Sequence, residues 1–192
     1  IYLNQLGGQD ELVFDGASFV LNADNSVALA MPPWREDVTV SDWTRDEAGK
    51  WTCAPGERVG EESRESATYH AMMLGLRDYV NKNRFSGVVL GLSGGIDSAL
   101  SAAVAVDALG ADRVRCVMLP SRYTSAESLA DADECARRLG TPYETIEIER
   151  AVAAFGETLA PVFAGKAADV AEENIQSRIR GVILMAISNK FG

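Results

Sequence analysis

Hydrophobic positions beyond residue 88 alternate between short continuous runs and stretches with helical spacing. The continuous runs at 88–92, 114–119 and 145–148 are typical of strands that are buried on both faces of a parallel sheet. The stretches with helical spacing, which follow these runs, lie at 98–109, 124–139, 152–162 and 169–189. Thr124 and Glu127 match a capping box at the start of the second stretch. This alternation predicts an α/β fold, a doubly wound parallel sheet with helices on both faces.

The first third of the chain has a different pattern. Apolar runs at 12–14, 17–21 and 27–30, with a turn-forming cluster at 22–26, predict a β-hairpin over residues 11–30. Residues 34–66 are polar and acidic, and they alternate only at 37–40, where the pattern favours a short strand. A helix is predicted from Ser63 onward, because apolar residues then recur every three or four positions.

Composition and charge narrow the class of protein. The chain has 192 residues, of which 47% are hydrophobic and 24% are charged, a balance typical of globular proteins. Acids outnumber bases by 28 to 18, so adhesion to nucleic acid or anionic lipid through bulk charge is not expected. The net charge of −10 is uneven, with −8 in residues 1–66 and −2 in residues 67–192, which indicates two segments with different roles.

The cysteines and the single histidine form no recognisable reactive pattern. Cys53, Cys116 and Cys135 are far apart and odd in number, so neither a zinc site nor a disulfide framework is indicated, and a cytoplasmic location is expected. His70 lies on the apolar stripe of a predicted helix and needs no catalytic role. No apolar run approaches the roughly 18 residues that a membrane span needs.

A glycine-rich loop follows the strand at 88–92 and runs directly into a helix. Its residues are Ser93, Gly94, Gly95, Ile96, Asp97 and Ser98. Ligands bind at the carboxyl ends of strands in open parallel sheets, and here two glycines and a helix amino terminus can turn backbone N–H groups toward an anion. Asp97 would repel a bare phosphate, which predicts a divalent cation between them. An ordinary strand–helix turn is the alternative.

This hexapeptide resembles the pyrophosphate loop of the ATP pyrophosphatases, which cleave ATP between its α and β phosphates. The resemblance implies an ATP site and magnesium on Asp97. The implied ATP-binding residues are Gly91, Leu92, Ser93, Gly94, Gly95, Ile96, Asp97, Ser98, Met118 and Leu119. The loop alone does not choose among NAD, GMP and asparagine synthetases and tRNA-modifying enzymes.

The last predicted helix narrows that choice. Asn174 and Arg178 are four residues apart and share one face, and Gln176 and Arg180 share another. Residues 172–192 resemble the deamido-NAD-binding segment of NAD synthetases, which implies that Asn174 and Arg178 meet the nicotinate end of the substrate. An arginine fork suits a carboxylate. A solvated arginine face on a core helix is the alternative.

Residues 4–16 resemble the end of a nitrilase-type glutaminase domain, which implies the glutamine-dependent, two-domain NAD synthetases. The expected domains are a β-rich glutaminase tail at 1–33, a connector at 34–66 and an incomplete synthetase domain at 67–192. Both ends of the chain are expected to lie inside a longer protein. The glutaminase nucleophile of this family lies further upstream, so no catalytic residue is assigned, and Cys53 is expected to be an ordinary cysteine.

The resemblance also implies a reaction. ATP adenylates the nicotinate carboxylate of deamido-NAD and releases pyrophosphate, and ammonia from glutamine then displaces AMP to give NAD. The implied partners are deamido-NAD, ATP, glutamine or ammonia and a second copy of the chain, with no nucleic acid or membrane. The alternatives are another ATP pyrophosphatase with a different acceptor, or an inactive nucleotide-binding fragment.

Overall fold

The computed structural model describes residues 1–60, 62–167 and 169–191. Glu61 in the predicted connector and Ala168 and Gly192 in the predicted synthetase domain lie outside the described residues. The chain forms two compact units, Ile1–Asn83 and Arg84–Gly192. Within the described ranges, no helix has both the length and the apolar character needed to cross a bilayer.

The first unit contains three antiparallel strand pairs and one helix. The pairs are β1 (Leu6–Gln9) with β2 (Leu12–Asp15), β3 (Phe19–Leu21) with β4 (Val27–Ala30), and β5 (Trp43–Arg45) with β6 (Trp51–Cys53). Val20, Ala28, Leu29 and Cys53 form its buried core, and Met31 and Trp43 pack against them. Cys53 is 1% exposed, so the structure places this connector cysteine in the core of the first unit.

The predicted hairpin over residues 11–30 is correct only in its second half. The strands β3 and β4 pair around the turn at 22–26, where the Asn22 N–H donates to the Ser26 carbonyl at 2.9 Å. The run at 12–14 pairs instead with β1, across a tight turn in which Asp10 adopts a left-handed φ of 51°. Aspartate tolerates this conformation better than most residues.

The strand predicted at 37–40 is absent, and these described residues are irregular. Val38 and Val40 are 93% and 86% exposed, so the apolar side of the alternation has nothing to pack on. The paired strands of this region are β5 and β6, where Trp43 and Cys53 join the core. A short alternating pattern forms a strand only where a partner strand and a buried face are available.

The predicted first helix is confirmed as α1 (Arg64–Lys82), whose N-cap is Ser63. It packs closely on β1, where a Cβ on Gly8 would lie 3.1 Å from the Gly75 Cα. The Asp78 carboxylate accepts from the Gly8 N–H at 2.8 Å, and the Lys82 ammonium donates to the Gly8 carbonyl at 2.5 Å. These two side chains therefore occupy backbone groups of β1 that would otherwise lie open.

The second unit contains the predicted parallel α/β sheet. Its sheet has the order β7 (Val88–Gly91), β8 (Val114–Met118), β9 (Tyr143–Thr145), and all neighbouring strands are parallel. Its helices are α2 (Ile96–Leu109), α3 (Ala126–Leu139), α4 (Glu149–Phe163) and α5 (Val170–Phe191). The small buried side chains of α2 and α3 pack on one face. The other face carries the cluster of Val117, Leu119, Ile148 and Ile179, against which α4 and α5 pack.

A helix and a strand in this unit begin at other residues than the sequence predicts. The sequence predicts a capping box that begins at Thr124, but the N-cap of α3 is Ser125, whose Oγ accepts from the Ser128 N–H at 3.0 Å. The Thr124 hydroxyl is used inside the preceding loop, where it accepts from the Ser121 N–H at 3.0 Å. The third strand spans Tyr143–Thr145 and not 145–148, because pairing with β8 already begins at the Pro142 carbonyl.

Candidate nucleotide-binding site

The glycine-rich loop leaves the carboxyl end of β7 and enters α2 at Ile96. Gly94 has a φ of +83°, and a Cβ at this position would lie 2.4 Å from the Ser128 carbonyl oxygen of α3. No other residue type fits, both because of the left-handed backbone and because of the close approach. The absence of a Cβ therefore allows the loop to fold tightly between β7 and α3.

Two serines hold the loop in shape. The Ser98 hydroxyl donates to the Gly95 carbonyl at 2.9 Å and accepts from the Ser93 N–H at 3.2 Å. The Ser93 hydroxyl lies 3.1 Å from the Ser98 hydroxyl and accepts from the Gly95 N–H at 3.3 Å. The first N–H groups of α2 have no carbonyl of their own helix to bond, and they stand at the positive end of its dipole. The loop is thus a preformed anion cradle.

A pocket of about 240 Å³ lies beside this loop. It is lined by Gly91, Leu92, Ser93, Val117, Met118, Leu119, Thr124, Arg180 and Leu184. The sequence predicts Gly91, Leu92, Ser93, Met118 and Leu119 as ATP-binding residues, and the structure brings these five together. The other predicted residues, from Gly94 to Ser98, form the adjoining loop and first turn of α2 and do not line the pocket.

Arg180 lines the pocket, although the sequence only places it on a helix face with Gln176 and assigns it no ligand. Its Nε donates to the Leu119 carbonyl at 3.0 Å, which ties α5 to the end of the central strand. It is the only charged residue that lines the pocket within the described parts of the chain. The available signal was its spacing from Leu184: residues four apart share a helix face, and the two line the pocket together.

Asn174 and Arg178 lie six and two residues before Arg180 on α5, and both are exposed. The Arg178 guanidinium donates to the Asn174 carbonyl at 3.3 Å, so the two residues share a face as their spacing predicts. Neither residue lines the 240 Å³ pocket. Their predicted contact with the nicotinate end of a substrate would therefore be made outside this pocket, on the exposed side of the helix.

Asp97 is exposed and stands in the first turn of α2, directly before Ser98 in the chain. Residues 1–60, 62–167 and 169–191 contain no group of three metal-ligating side chains. Magnesium commonly binds one or two carboxylates together with water and substrate phosphates. Asp97 fits a magnesium ion that arrives with a nucleotide and does not fit a resident metal site.

Another pocket, of about 260 Å³, lies at the opposite edge of the same sheet, where the strands begin. Its arginines are committed to neighbours: the Arg115 guanidinium donates to Glu144 at 2.6 Å, and the Arg113 Nε donates to the Ser86 carbonyl at 2.9 Å. The glycine loop lies at the other edge. The carboxyl edge of the sheet is therefore the better candidate for the nucleotide.

Cys116 and His70 have structural surroundings. Cys116 is fully buried on β8, and this burial raises the pKa of its thiol, which keeps it protonated and unreactive. The His70 Nδ1 lies 2.7 Å from the Glu62 carboxylate, and its ring stacks on Trp34. His70 thus links separate segments of the first unit.

A parallel α/β sheet with a glycine-rich anion cradle at the carboxyl end of its first strand defines a nucleotide-binding domain of the doubly wound class. The family model of NAD synthase matches residues 68–192. The chain therefore belongs to the NAD synthase family. This assignment confirms the resemblance seen in the loop and the last helix.

Two relatives that match the whole chain are glutamine-dependent NAD(+) synthetases. The chain is 59% identical over its whole length to the glutamine-dependent NAD(+) synthetase of Rhodobacter capsulatus, and it spans 35% of that protein. The glutamine-dependent NAD+ synthetase of Acinetobacter baumannii, solved in complex with ADP, matches all of the chain at 46% identity, with a TM-score of 0.94 and 36% of its own length covered.

A more distant structure matches two thirds of the chain. The NMN synthetase of Francisella tularensis is 29% identical over 67% of the chain, with a TM-score of 0.61 and 52% of its own length covered. The chain therefore spans about a third of the glutamine-dependent relatives and about half of this one.

Proposed function

We propose that the protein catalyses the ATP-dependent amidation of deamido-NAD to NAD. ATP adenylates the nicotinate carboxylate and releases pyrophosphate, and ammonia then displaces AMP. The observation that carries this proposal is the preformed cradle at Gly94 beside the 240 Å³ pocket, in a chain of the NAD synthase family. The ADP bound to the Acinetobacter relative supports an adenine nucleotide as the ligand.

The pocket and the loop divide the nucleotide between them. The N–H groups in the first turn of α2 would hold the phosphates, and the Ser93 and Ser98 hydroxyls would join them on leaving their partners inside the loop. The apolar walls at Met118 and Leu119 would cover the adenosine. Asp97 would hold magnesium, which supplies charge neutralisation when it is bound. Positioning and electrostatic stabilisation then lower the barrier, so this site needs little acid–base chemistry.

The acceptor would lie on the exposed side of α5. Asn174 and Arg178 share that face, and an arginine fork can bind the nicotinate carboxylate bidentately. Arg180, whose Nε is already bonded to Leu119, would contribute its remaining N–H groups to the nucleotide side. The two arginines would thus serve the two substrates separately.

The proposed domains follow the sequence assignment, with a glutaminase tail at 1–33, a connector at 34–66 and the synthetase domain at 67–192. Glutamine hydrolysis in the upstream domain would supply ammonia, as the names of the relatives suggest. A second copy of the chain would pair through the synthetase domain. Glutamine is inferred from the names of relatives about three times as long as the chain, and the second copy from the family resemblance alone.

The reaction is tested by the acceptor that drives AMP release. The full-length protein is incubated with ATP, magnesium and ammonia, and with deamido-NAD, nicotinate mononucleotide or xanthosine monophosphate in turn. We expect AMP release with deamido-NAD and little with the other two. Nicotinate mononucleotide is included because the chain also resembles an NMN synthetase. Release driven by either of the other acceptors, or by none, would overturn the proposal.

A further inference from the structure

The loop between β8 and α3 forms part of the wall of the nucleotide pocket. It leaves β8 at Leu119 and reaches α3 at Ser125, and both Leu119 and Thr124 line the pocket. Tyr123 in the middle of this loop is 77% exposed. Since little of the loop is buried, its conformation must be determined by specific polar contacts.

Glu149, the first residue of α4, holds this loop through both of its carboxylate oxygens. Oε1 accepts from the Arg122 Nε at 2.8 Å and also from the Arg122 Nη2, while Oε2 accepts from the Arg122 backbone N–H at 3.3 Å. One carboxylate therefore fixes the side chain and the main chain of the same residue. The Arg122 guanidinium lowers the pKa of Glu149, so this carboxylate stays ionised.

The anchor of this contact is rigid. Ile148, next to Glu149, is fully buried, and its N–H donates to the Pro120 carbonyl at 3.1 Å. Ile148 and Glu149 thus bond to the loop at two points, Pro120 and Arg122. Arg122 could therefore move relative to the sheet only if its contact with Glu149 or the Ile148–Pro120 hydrogen bond broke.

A short turn connects Arg122 to Thr124, which lines the pocket. The Ser121 N–H donates to the Thr124 hydroxyl at 3.0 Å, and the Thr124 N–H donates to the Ser121 carbonyl at 3.0 Å. Arg122 lies between these two reciprocally bonded residues. The position of Thr124 in the pocket therefore depends on where Glu149 holds Arg122.

We propose that Arg122 and Glu149 are positioning residues that hold the 120–125 loop as the wall of the nucleotide pocket. The inference rests on the proposed function, because it assigns the wall to a site for an adenine nucleotide. Neither residue lines the pocket. Their effect is to keep Thr124 and Leu119 in place before the ligand binds, which lowers the ordering cost of binding.

An exposed ion pair with the same chemistry provides a matched control. The Arg137 guanidinium donates to Glu134 at 2.8 and 2.7 Å within α3, and its side chain is 67% exposed, close to the 63% of Arg122. Exposed pairs of this kind contribute little to stability. Arg137→Gln leaves Glu134 bonded to Arg138 at 2.7 Å, and it measures what the loss of one such arginine contact does when it touches no pocket wall.

The test measures ADP affinity by calorimetry in the full-length protein. We expect Arg122→Gln and Glu149→Gln each to raise the ADP Kd by about two- to fivefold, and Arg137→Gln to leave it unchanged. We also expect faster hydrogen exchange of the Thr124 N–H in the first two variants, with or without ADP. The exchanged pair Arg122→Glu with Glu149→Arg should recover part of the affinity.

The outcomes separate this inference from the proposed function. If the wild type binds no ADP, the proposed function fails, and the inference fails with it. If the wild type binds ADP but Arg122→Gln behaves like Arg137→Gln, the inference alone is overturned. If Arg122→Gln weakens ADP while Glu149→Gln does not, Arg122 contacts the nucleotide directly, which also overturns the positioning role.

Discussion

Gly94 is the residue on which the shape of the anion cradle depends most directly. Its φ of +83° and the 2.4 Å that would separate a Cβ from the Ser128 carbonyl oxygen leave no room for a side chain. Ser128 belongs to α3, so a substitution would push the loop away from the helix that it packs against. Gly95 lacks this geometry, so substitutions at the two glycines can be compared.

We expect Gly94→Ala to weaken ADP binding more than tenfold, since backbone strain of about 1–3 kcal/mol adds to the clash with the Ser128 carbonyl. Gly95→Ala is the control, because Gly95 has an ordinary φ of −86° and a Cβ there would lie 3.5 Å from the Ser93 hydroxyl. ADP affinity of the two variants is compared by calorimetry. Equal losses in both would show that the close approach at Gly94 is not what shapes the cradle.

Asp97 is the residue through which charge neutralisation would act. We expect Asp97→Asn to abolish magnesium-dependent AMP formation in the full-length protein and to leave glutamine hydrolysis measurable, because the amide retains the size of the side chain but not its charge. The comparison is Asp107→Asn, at the other end of α2. AMP formation is followed across a magnesium titration. Unchanged AMP formation in Asp97→Asn would exclude Asp97 as the metal ligand.

In the proposed function, Arg178 of α5 binds deamido-NAD and Arg180 binds the adenine nucleotide. Arg178→Ala is expected to raise the KM for deamido-NAD and to leave ADP affinity nearly intact, because its side chain is exposed and lies outside the pocket. Arg180→Ala is expected to weaken ADP, because the pocket then loses its cation. Both are measured in the full-length protein. A loss of both ligands in both variants would mean that α5 has only a structural role.

At the scale of elements, the caps decide where α3 begins. Ser125→Ala removes the hydroxyl that accepts from the Ser128 N–H and is expected to destabilise the helix by about 1 kcal/mol. Faster hydrogen exchange of the Ser128 N–H would report this loss directly. Thr124→Ala is the control, because the Thr124 hydroxyl bonds the Ser121 N–H and leaves the first turn of α3 intact. Greater fraying in Thr124→Ala would restore the capping box predicted from the sequence.

The elements also show which parts of the site can be predicted from the sequence. The strand, loop and helix around Gly94 are contiguous, so buried apolar spacing and two glycines suffice to locate them. Arg180 and Glu149 reach the site only through tertiary packing, from 61 residues beyond Leu119 and 27 residues beyond Arg122. The helical spacing relates Arg180 to Leu184, but no local pattern relates Arg180 or Glu149 to the loops that they contact. The strand predicted at 37–40 failed for the same reason, because its alternation found no partner.

At the scale of the whole molecule, the net charge is negative, like that of the proposed ligand, but most of it lies outside the nucleotide-binding part. The first 66 residues hold −8 of the net −10, and the part assigned to the nucleotide holds −2. A nearly neutral domain can bind polyanions through N–H groups, one pocket arginine and a shared metal, without attracting nucleic acid. The overall charge of a chain is therefore a poor guide to the charge of its ligand.

The same charge distribution governs how the first unit responds to acid. The Ser66 hydroxyl, the Trp34 indole N–H and His70 all contact the Glu62 carboxylate, and these contacts lower its pKa below the ordinary value of 4.5. A carboxyl with a lowered pKa in the folded state stabilises the fold above pH 4.5, and that stabilisation is lost as the pH falls through its folded-state pKa. Protonation of the many other acids relieves repulsion over the same interval, so the two effects oppose each other.

We expect Glu62→Gln to make the acid unfolding of the first unit less steep below pH 4.5, because the amide cannot gain a proton, and to lower stability near neutral pH, where the wild-type carboxylate is ionised. Trp34 fluorescence reports on the contact, because its indole N–H donates to Glu62 at 2.6 Å. Glu65→Gln, in the first turn of α1, changes the net charge equally without touching this cluster. Identical pH profiles for the two variants would mean that general repulsion, and not the Glu62 contacts, governs the acid response.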